Sequence, residues 1–371
     1  MLASTQRIIQ FVEEFAPKKL AYEGDRIGLQ IGTPQKKARK VMIALDILEE
    51  VVDEAIGEGV DLIVAHHAVI FNPLKQIRTD KPAGRIIEKL IKHEIGVYIA
   101  HTNLDTAPGG INDLLAESLG LQDVEILQPG YQQNFKKLVV FVPVTHLEEV
   151  RNRISAAGAG FIGNYSHCTF STKGTGTFLP QSGATPFIGK QGSLEQVEEV
   201  RLETIIPEEI QNKVIQALIK AHPYEEVAYD IYPVEQKGKS YGIGRIGKLP
   251  APIPLQDFAV QVKEAFSLSG VRVVGDLDQA VQKIAVLGGD GNRFVQRAIF
   301  LGADVLVTGD VYYHTAHDAM MEGLSIVDPG HNVEKVMKEG LKTILAKRIE
   351  DEGLETQVIV SQVHTDPFTF L

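Results

Sequence analysis

The segment "VMIALDILEEVVDEAIGEGVDLIVAHH" (41–67) predicts a β-strand, an amphipathic helix, a Gly-x-Asp turn and a second, buried β-strand. A distant segment, "IAVLGGDGNRFVQRAIFLGADVLVTGD" (284–310), aligns with it without a gap and predicts the same elements in the same order. The alignment pairs Asp61 with Asp304. This similarity indicates an internal structural duplication, with unconnected likeness between two ordinary strand–helix–strand units as the alternative.

The similarity continues beyond both segments. After residue 67, a helical stretch, "AGRIIEKLIKHE", leads to the predicted strand in "GVYIAHTNLD". After residue 310, "HTAHDAMMEG" leads in the same way to "LSIVDPGHNVE". Each half therefore has a β-α-β-α-β pattern, which is typical of a parallel sheet with crossover helices. We predict an α/β fold in which two related βαβ-containing halves form one domain.

The segment between the halves has a different pattern. It predicts the order β-α-β-β-α-β, from the strand "KKLVVFVPV" to the strand "VAYDIYPV", with its first helix capped by Thr145. That order is the ferredoxin-like α+β pattern. We therefore predict that residues 1–125 and 235–371 are the two halves of the α/β domain, and that 126–234 form an inserted ferredoxin-like domain.

Composition restricts the class of protein. The chain has 371 residues, too many for one ordinary core, and its balance of 44% hydrophobic and 23% charged residues is typical of a soluble globular protein. A formal net charge of −11 without a dense Lys/Arg run disfavours a nucleic-acid partner. No apolar stretch reaches the roughly 20 residues that a membrane span needs. The first residues predict an amphipathic helix capped by Ser4 or Thr5, not a secretory signal, which fits a cytoplasmic protein.

Three local features have weaker functional interpretations. The single cysteine, Cys168, excludes an internal disulfide and a multi-thiolate metal site, and we do not predict it to be a nucleophile. The stretch "GGDGNR" (288–293) either receives a phosphate on its backbone N–H groups or forms a tight turn. The stretch "HPYEE" (222–226) either binds a cation or is a structural turn.

Polar and ionisable residues follow four of the predicted strands. In open α/β sheets, ligands bind in the crevice beyond the carboxyl ends of the strands. We therefore expect these residues to gather in one place although they are far apart in the chain. They are His66 with His67, the segment 101–105, the segment 308–310 and the segment 328–334.

The residue types at these strand ends favour a metal site. Imidazole nitrogen and carboxylate oxygen without thiolate suit zinc most closely, with iron or manganese as alternatives. Glu334 follows His331 by three residues, so both face one side if the segment is helical. Asp105 ends "HTNLD" and could bridge two ions. A single strand-end histidine is more often a hydrogen-bonded loop residue, but five donors suit two divalent ions that retain water: His66, His67, Asp105, His331 and Glu334.

Three further residues are candidates for catalysis. His101 and His314 could transfer protons, or each could hold a neighbouring ligand or loop in place. Asp310 is either a proton-transferring residue of the site or a helix cap.

Six motifs together resemble the NIF-three-like family, whose members are also called GTP cyclohydrolase 1 type 2 homologues. The motifs are "EGDRIGLQIG", "VAHHAVIF", "AHTNLDTAPGGIN", "GADVLVTGD", "DPGHNVEK" and "TDPF". The resemblance covers residues 1 to about 125 and about 235 to the end. The inserted segment, above all "AHPYEEVAYDIYPV", is similar to the PII and CutA proteins and resembles the additional domain of longer bacterial members.

The resemblance implies a dimetal centre held by the same five residues and a ring-shaped homohexamer. Many members space the last His and Glu by four residues, where this chain has three. The function expected from the resemblance is a metal-dependent hydrolase acting on a nucleotide or phosphate-containing small molecule. If the cyclohydrolase label applies, water attacks C8 of a guanine ring. The alternative is a non-catalytic metal-binding or regulatory homo-oligomer whose insert senses a small molecule.

Overall fold

The computed structural model describes residues 1–371 and divides the chain into two compact units. Unit 1 is Met1–Tyr131 with Tyr241–Leu371, and unit 2 is Gln132–Ser240. Unit 2 thus begins at 132 and ends at 240, where the sequence pattern placed 126 and 234. Each predicted boundary falls inside a long, continuous strand, β7 (Gln122–Pro143) or β10 (Tyr229–Pro254). The sequence pattern therefore does not change at the boundary between the units.

Helices and strands alternate along most of the chain. The helices are α1 (Thr5–Phe15), α2 (Glu49–Gly57), α3 (Pro82–Lys92), α4 (Thr102–Thr106), α5 (Ile111–Ser118), α6 (Leu147–Ala156), α7 (Gln211–Ala221), α8 (Leu255–Ala265), α9 (Val295–Phe300), α10 (Tyr313–Met321) and α11 (Met337–Asp351). The strands are β1 (Ala3–Ser4), β2 (Gly28–Ile31), β3 (Lys37–Ala38), β4 (Lys40–Ala44), β5 (Leu62–Ala65), β6 (Gly96–Ile99), β7 (Gln122–Pro143), β8 (Thr169–Phe178), β9 (Glu195–Pro207), β10 (Tyr229–Pro254), β11 (Arg272–Val274), β12 (Ala280–Asp290), β13 (Val305–Gly309), β14 (Ser325–Asp328) and β15 (Gln357–Val360). Short 3-10 helices cover Lys18–Leu20, Val144–His146, Glu208–Ile210, Asn292–Phe294 and His331–Val336. None of the helices combines the length and the apolar character needed to cross a bilayer.

The first sheet of unit 1 has the strand order β15-β4-β5-β6-β2. Strands β15, β4, β5 and β6 are parallel, and β2 is antiparallel to β6 at one edge. Alternate residues of β5 enter two hydrophobic cores: Leu62 and Val64 pack with α1 and α11, whereas Ile63 and Ala65 pack with α2 and α3. Because helices cover both faces, β5 is apolar throughout, as a buried parallel strand requires.

The second sheet of unit 1 repeats this arrangement. Its order is β11-β14-β13-β12-β10, with β12, β13 and β14 parallel and with β11 antiparallel to β14. In each sheet the three consecutive parallel strands are neighbours and are joined by helices, and an antiparallel strand lies beside the third. The predicted β-α-β-α-β run is therefore present in both halves of the chain.

The aligned residues Asp61 and Asp304 make equivalent hydrogen bonds. Oδ2 of Asp61 accepts from the backbone N–H of residue 39 at 2.7 Å and lies 3.4 Å from that of residue 40. Oδ2 of Asp304 accepts from those of residues 282 and 283 at 2.9 and 2.7 Å. Each aspartate lies just before the second parallel strand of its half. Each therefore links that position to the backbone of the first parallel strand by hydrogen bonds.

The helix at the start of the chain uses Ser4 as its cap. Ser4 Oγ accepts from the backbone N–H of Arg7 at 3.2 Å, so Thr5, the other candidate, is the first helical residue and is buried. The apolar face of α1 buries Ile8, Phe11 and Val12 in the core of unit 1.

Unit 2 is an α+β arrangement. Its strands follow the order β10-β7-β9-β8, and β9 is antiparallel to both β7 and β8. Helices α6 and α7 pack on one sheet face, through a core that includes Val140, Val142, Leu202, Ile154 and Leu218.

The first helix of unit 2 does not use the predicted cap. A 3-10 turn, Val144–His146, precedes α6, so the helix begins at Leu147 and Thr145 lies inside the turn. Thr145 Oγ1 instead lies 2.9 Å from Nδ1 of His146. The prediction of a Thr145 cap is wrong because the 3-10 turn adds residues between the strand and the helix.

Candidate metal centre

The adjacent histidines 66 and 67 follow β5, and the parallel pairing with β4 continues through them. The N–H of His66 donates to Ala44 O at 3.3 Å, and that of His67 donates to Leu45 O at 2.9 Å. The His66 side chain is fully buried, with Nδ1 2.9 Å from the carbonyl oxygen of Ala100. Because a carbonyl only accepts, Nδ1 donates to it, and Nε2 is the ring nitrogen that faces the carboxylates of Asp105 and Glu334.

A buried carboxylate faces this nitrogen. Asp105 lies in α4, six residues after the last residue of β6, and is 6% exposed. Its Oδ1 lies 3.8 Å from Nε2 of His66, and neither of these buried atoms has a hydrogen-bond partner. Because nearly all buried polar atoms are satisfied, two orphaned atoms facing each other fit a site for a cation.

Glu334 is the carboxylate shared by the imidazoles. Its Oε2 lies 3.2 Å from Nε2 of His67, 3.2 Å from Nε2 of His331 and 3.6 Å from Nε2 of His66. The residue is 3% exposed. Asp105 is the carboxylate that the sequence suggests as a bridge, but Glu334 is the one that faces all three imidazoles.

The three-residue spacing of His331 and Glu334 matches the local structure. The segment His331–Val336 is a 3-10 helix, which has three residues per turn, so side chains three residues apart lie directly above one another. Both side chains therefore reach the same point, although an α-helical relative could achieve this with a spacing of four.

Two glycines in the "GGDGNR" stretch leave room for the carboxylate. A Cβ on Gly288 would lie 3.1 Å from Cγ of Glu334, and one on Gly289 would lie 2.8 Å from its Oε1. Gly289 also has φ +63°, a conformation that side chains other than glycine rarely adopt. The stretch forms a turn between β12 and the 3-10 helix Asn292–Phe294, in which the N–H of Asn292 donates to Oδ1 of Asp290.

Carboxylates orient three of the imidazoles through Nδ1. This leaves Nε2 of each ring available to a ligand, as is usual for metal-binding histidines. The pairs are His67 with Asp46 at 2.6 Å, His331 with Asp310 at 2.6 Å and His101 with Asp25 at 2.8 Å.

The structure brings His101 to the site but not His314. The His101 ring lies 4.9 Å from that of His66 and 5.9 Å from that of His67. His314 is exposed on α10, packs its ring 5.4 Å from that of Tyr313 and lines no part of the site cavity. The register of α10, which periodicity alone could not fix, directs His314 away.

Asp310 belongs to the site and is not a helix cap. The residue preceding α10 is Tyr312, and no side chain caps this helix. Asp310 has φ +55°, an uncommon conformation for a side chain other than glycine. In this conformation its Oδ2 accepts from Nδ1 of His331.

Asp25 and Asp46 were missed among the sequence candidates. Asp46 closely follows β4, a position that the strand-end rule covers, so it could have been found. Asp25 lies in an irregular segment that only the "EGDRIGLQIG" motif singled out. Thr365, in the C-terminal "TDPF" motif, donates from Oγ1 to Asp46 and supports that carboxylate.

The charges of the site are strongly coupled. Burial disfavours ionisation of Glu334, but the facing imidazoles outweigh it and hold its pKa well below the usual range. For His67, burial opposes protonation, yet the carboxylates of Asp46 and Glu334 raise its pKa to about 10. The contact with Glu334 raises the pKa of His331 to about 9. Burial raises the pKa of Asp105 to about 6.

The donor atoms fall into three groups in which ligand atoms lie within 4.8 Å of one another. Glu334 belongs to two of them, and so do His66 and His67. Nitrogen and carboxylate oxygen without thiolate is the ligand chemistry of zinc, iron and manganese, so the residues present fit a metal ion. The groups are His66–Asp105–Glu334, His67–His331–Glu334 and His66–His67–His101.

The site opens into a cavity of 440 Å³ in unit 1. His67, His101 and His331 form part of its wall. Phe71 and Phe368, 64% and 68% exposed, also line it. A small molecule entering this cavity would meet the imidazoles on one side and aromatic rings on another.

A protein-family model described as Duf34/NIF3 (NGG1p interacting factor 3) matches residues 3–367. This chain belongs to the Duf34/NIF3 family. A relative from Halalkalibacterium halodurans, named GTP cyclohydrolase 1 type 2 homolog, is 56% identical over 370 residues, 100% of both chains. A Bacillus subtilis relative of the same name is 57% identical over 366 residues, 99% of this chain and 98% of its own.

A solved structure of the family has the same fold along its whole length. The crystal structure of the Bacillus cereus protein related to NIF3 is 58% identical, covers 100% of both chains and superimposes with a TM-score of 0.93. The mixed α/β architecture with several sheets is therefore that of the Duf34/NIF3 family.

Proposed function

We propose that unit 1 binds two divalent metal ions through Glu334 and the residues around it. His66 and Asp105 would hold one ion, and His67 and His331 the other, with Glu334 between them. The observation that supports this is a single buried carboxylate oxygen, Oε2, that faces Nε2 of three histidines. Zinc is the metal that this donor set suits best, with iron and manganese as alternatives.

We further propose that the protein is a metal-dependent hydrolase acting on a nucleotide or another phosphate-containing small molecule. Two divalent cations held by these residues would supply an activated water and would offset negative charge on the substrate. The imidazoles in the wall of the 440 Å³ cavity place this chemistry beside a space for a substrate. The name of the relatives, GTP cyclohydrolase 1 type 2 homolog, favours a nucleotide.

His101 has two roles compatible with its place. Asp25 accepts from its Nδ1, so Nε2 can either complete a nitrogen ligand set with His66 and His67 or exchange a proton with substrate. Metal analysis of His101→Ala separates them, because a ligand's loss lowers the metal content and a proton carrier's loss leaves it unchanged. Asp310 acts through His331, which it orients.

The hydrolase proposal is tested by turnover. Metal-loaded protein is incubated with nucleotides and phosphate esters and compared with His66→Ala and Asp105→Ala. Turnover by the unaltered protein and its loss in both variants support the proposal. Equal rates in all three proteins would contradict it.

The second candidate function is a regulatory metal-binding assembly without turnover. It is favoured by a cavity of 710 Å³ within unit 2, which could receive a small-molecule effector. We propose for unit 2 a ferredoxin-like, PII/CutA-like fold, and for unit 1 an origin by duplication. The strand order β10-β7-β9-β8 supports the proposal for unit 2. The repeated β-α-β-α-β run supports the proposal for unit 1.

We propose that the protein assembles with copies of itself, as a homohexamer, in the cytoplasm. The neighbouring helices α9 and α10, with the residue that precedes α10, expose large apolar side chains, which is common where subunits meet. They are Phe300, Tyr312, Tyr313, Met320 and Met321. Light scattering of the protein and of Met321→Glu tests this: a hexamer that the substitution dissociates supports it, and a monomer contradicts it.

A further inference from the structure

A cavity in unit 2 has the features of a ligand site that is separate from the metal centre. Its volume is 710 Å³, within the range of small-molecule sites. Strands β7, β8 and β9, the segment 179–188 and the turn 224–228 supply its walls. None of the metal-centre residues contributes to it.

The cavity lies on the sheet face opposite the helices. Along β9, Leu202 and Ile206 pack in the helical core and Val200 is buried on the same face, so Glu199 and Arg201 point to the other face. The antiparallel register sets Glu199 opposite Gly174, which has no side chain to fill the space. A second glycine, Gly176, is required there, since a Cβ on it would lie 2.1 Å from Oε2 of Glu199.

Glu199 is a buried carboxylate with unused acceptor capacity. It is 8% exposed, and its Oε1 accepts from the hydroxyl of Tyr224 at 2.8 Å. No donor in the structure reaches its Oε2. Arg201, the nearest cation along the strand, pairs with Glu203 at 3.0 Å. A buried carboxylate of this kind is completed by N–H donors from a ligand.

Aromatic rings line the same cavity. The Tyr224 ring lies 5.9 Å from that of Phe178 and 6.3 Å from that of Phe187, and Phe141 also lines the cavity. Such rings favour a flat aromatic ligand by stacking or edge-to-face contact. Arg201, which lines the cavity on the same sheet face as Glu199, is placed to meet an anionic substituent on that ligand.

We propose that this cavity binds a guanine-type nucleotide. The adjacent N1–H and 2-amino groups of a guanine ring donate to the carboxylate of Glu199, the ring contacts Phe187 and Tyr224, and the phosphate lies toward Arg201. Nucleotide binding in this cavity does not require the metal ions, so its test is independent of the test of the hydrolase proposal.

The test is calorimetric titration of the full-length protein with guanosine 5′-monophosphate and with inosine 5′-monophosphate, which lacks the 2-amino group. We expect guanosine monophosphate to bind about tenfold more tightly than inosine monophosphate. Glu199→Gln should remove this difference, and His66→Ala at the metal centre should retain it. Phe187→Ala, which removes a side chain that is 53% exposed, should weaken both ligands.

Three results would overturn the proposal. One is the absence of binding at about 1 mM nucleotide, the weak end of specific recognition. Another is equal affinity of the unaltered protein for the two nucleotides. The third is binding lost in His66→Ala and kept in both Glu199→Gln and Phe187→Ala, which would place the nucleotide at the metal centre. Circular dichroism and thermal melting confirm that each variant is folded.

Discussion

Asp105 and Glu334 occupy matching positions in the two halves of unit 1. Each lies six residues after the last residue of the third parallel strand of its half, β6 or β14. Both are buried, and their carboxylates face the same atom, Nε2 of His66, at 3.8 and 3.6 Å. The two halves thus each contribute one carboxylate to a common site.

The two carboxylates should nevertheless differ in importance. Glu334 belongs to two donor groups and Asp105 to one, so Glu334→Gln should lose most of the bound metal, whereas Asp105→Asn should retain about half. Elemental analysis of purified protein measures this. The matched control is Glu339→Gln on the exposed face of α11, which should keep the full content. Equal losses in Glu334→Gln and Asp105→Asn would refute the shared position of Glu334.

Asp310 should control metal affinity without binding metal. It accepts from Nδ1 of His331 at 2.6 Å, and removal of such an orienting carboxylate typically weakens metal binding about 10- to 100-fold. Asp310→Asn should show this loss in competition with a chelator of known affinity. Asp318→Asn, an exposed residue on α10, is the control and should bind as the unaltered protein does. An unchanged affinity in Asp310→Asn would mean that His331 needs no such support.

Metal binding should release protons at pH 8. In the metal-free protein the pKa of His67 is raised to about 10 and that of His331 to about 9, so both rings are protonated at that pH. A metal ion binds only the unprotonated nitrogen, so affinity should fall as the pH decreases below about 9. Calorimetry in two buffers of different ionisation enthalpy measures the released protons. Identical heats in both buffers would contradict this.

The metal-free protein should lose stability as the pH rises from about 7 to 10. His67 and His331 have folded-state pKa values above their unfolded values, so their contribution is complete below the unfolded value of about 6.5 and disappears as pH passes through 9 to 10. Thermal melting in the presence of a chelator measures this decline. The decline in melting temperature should be smaller in His67→Gln. If this variant shows the same decline as the unaltered protein, other groups are responsible for it.

Gly289 should be required for metal binding as well as for its positive-φ backbone conformation. Gly289→Ala places a Cβ 2.8 Å from Oε1 of Glu334, so it should reduce both stability and metal content. Gly302→Ala is the matched control. Gly302 has φ +69°, close to the +63° of Gly289, but no atom lies within 4 Å of the position that its Cβ would occupy. The control should cost about 1–2 kcal/mol for the backbone alone and keep its metal. Equal metal content in both variants would show that Glu334 can move aside.

Much of this molecule follows from local sequence pattern. Hydrophobic periodicity and glycine turns predict the parallel strands and crossover helices of both halves, and Ser4 predicts the start of α1. Because parallel strands align their carboxyl ends, the strand-end rule also selects the residues that gather around Glu334. These features depend on interactions between residues close in the chain or on the pairing of neighbouring strands.

Only the tertiary structure decided which of these residues meet, and how. His67 and Glu334 are 267 residues apart, and their contact depends on how the two half-sheets pack, which no local pattern encodes. The same packing selects Glu334 over Asp105 as the shared carboxylate, brings His101 in and leaves His314 exposed. The cavity around Glu199 likewise depends on which sheet face the helices of unit 2 cover. Sequence periodicity fixes the buried face of each element, whereas the distances between functional atoms depend on side-chain packing between elements remote in sequence.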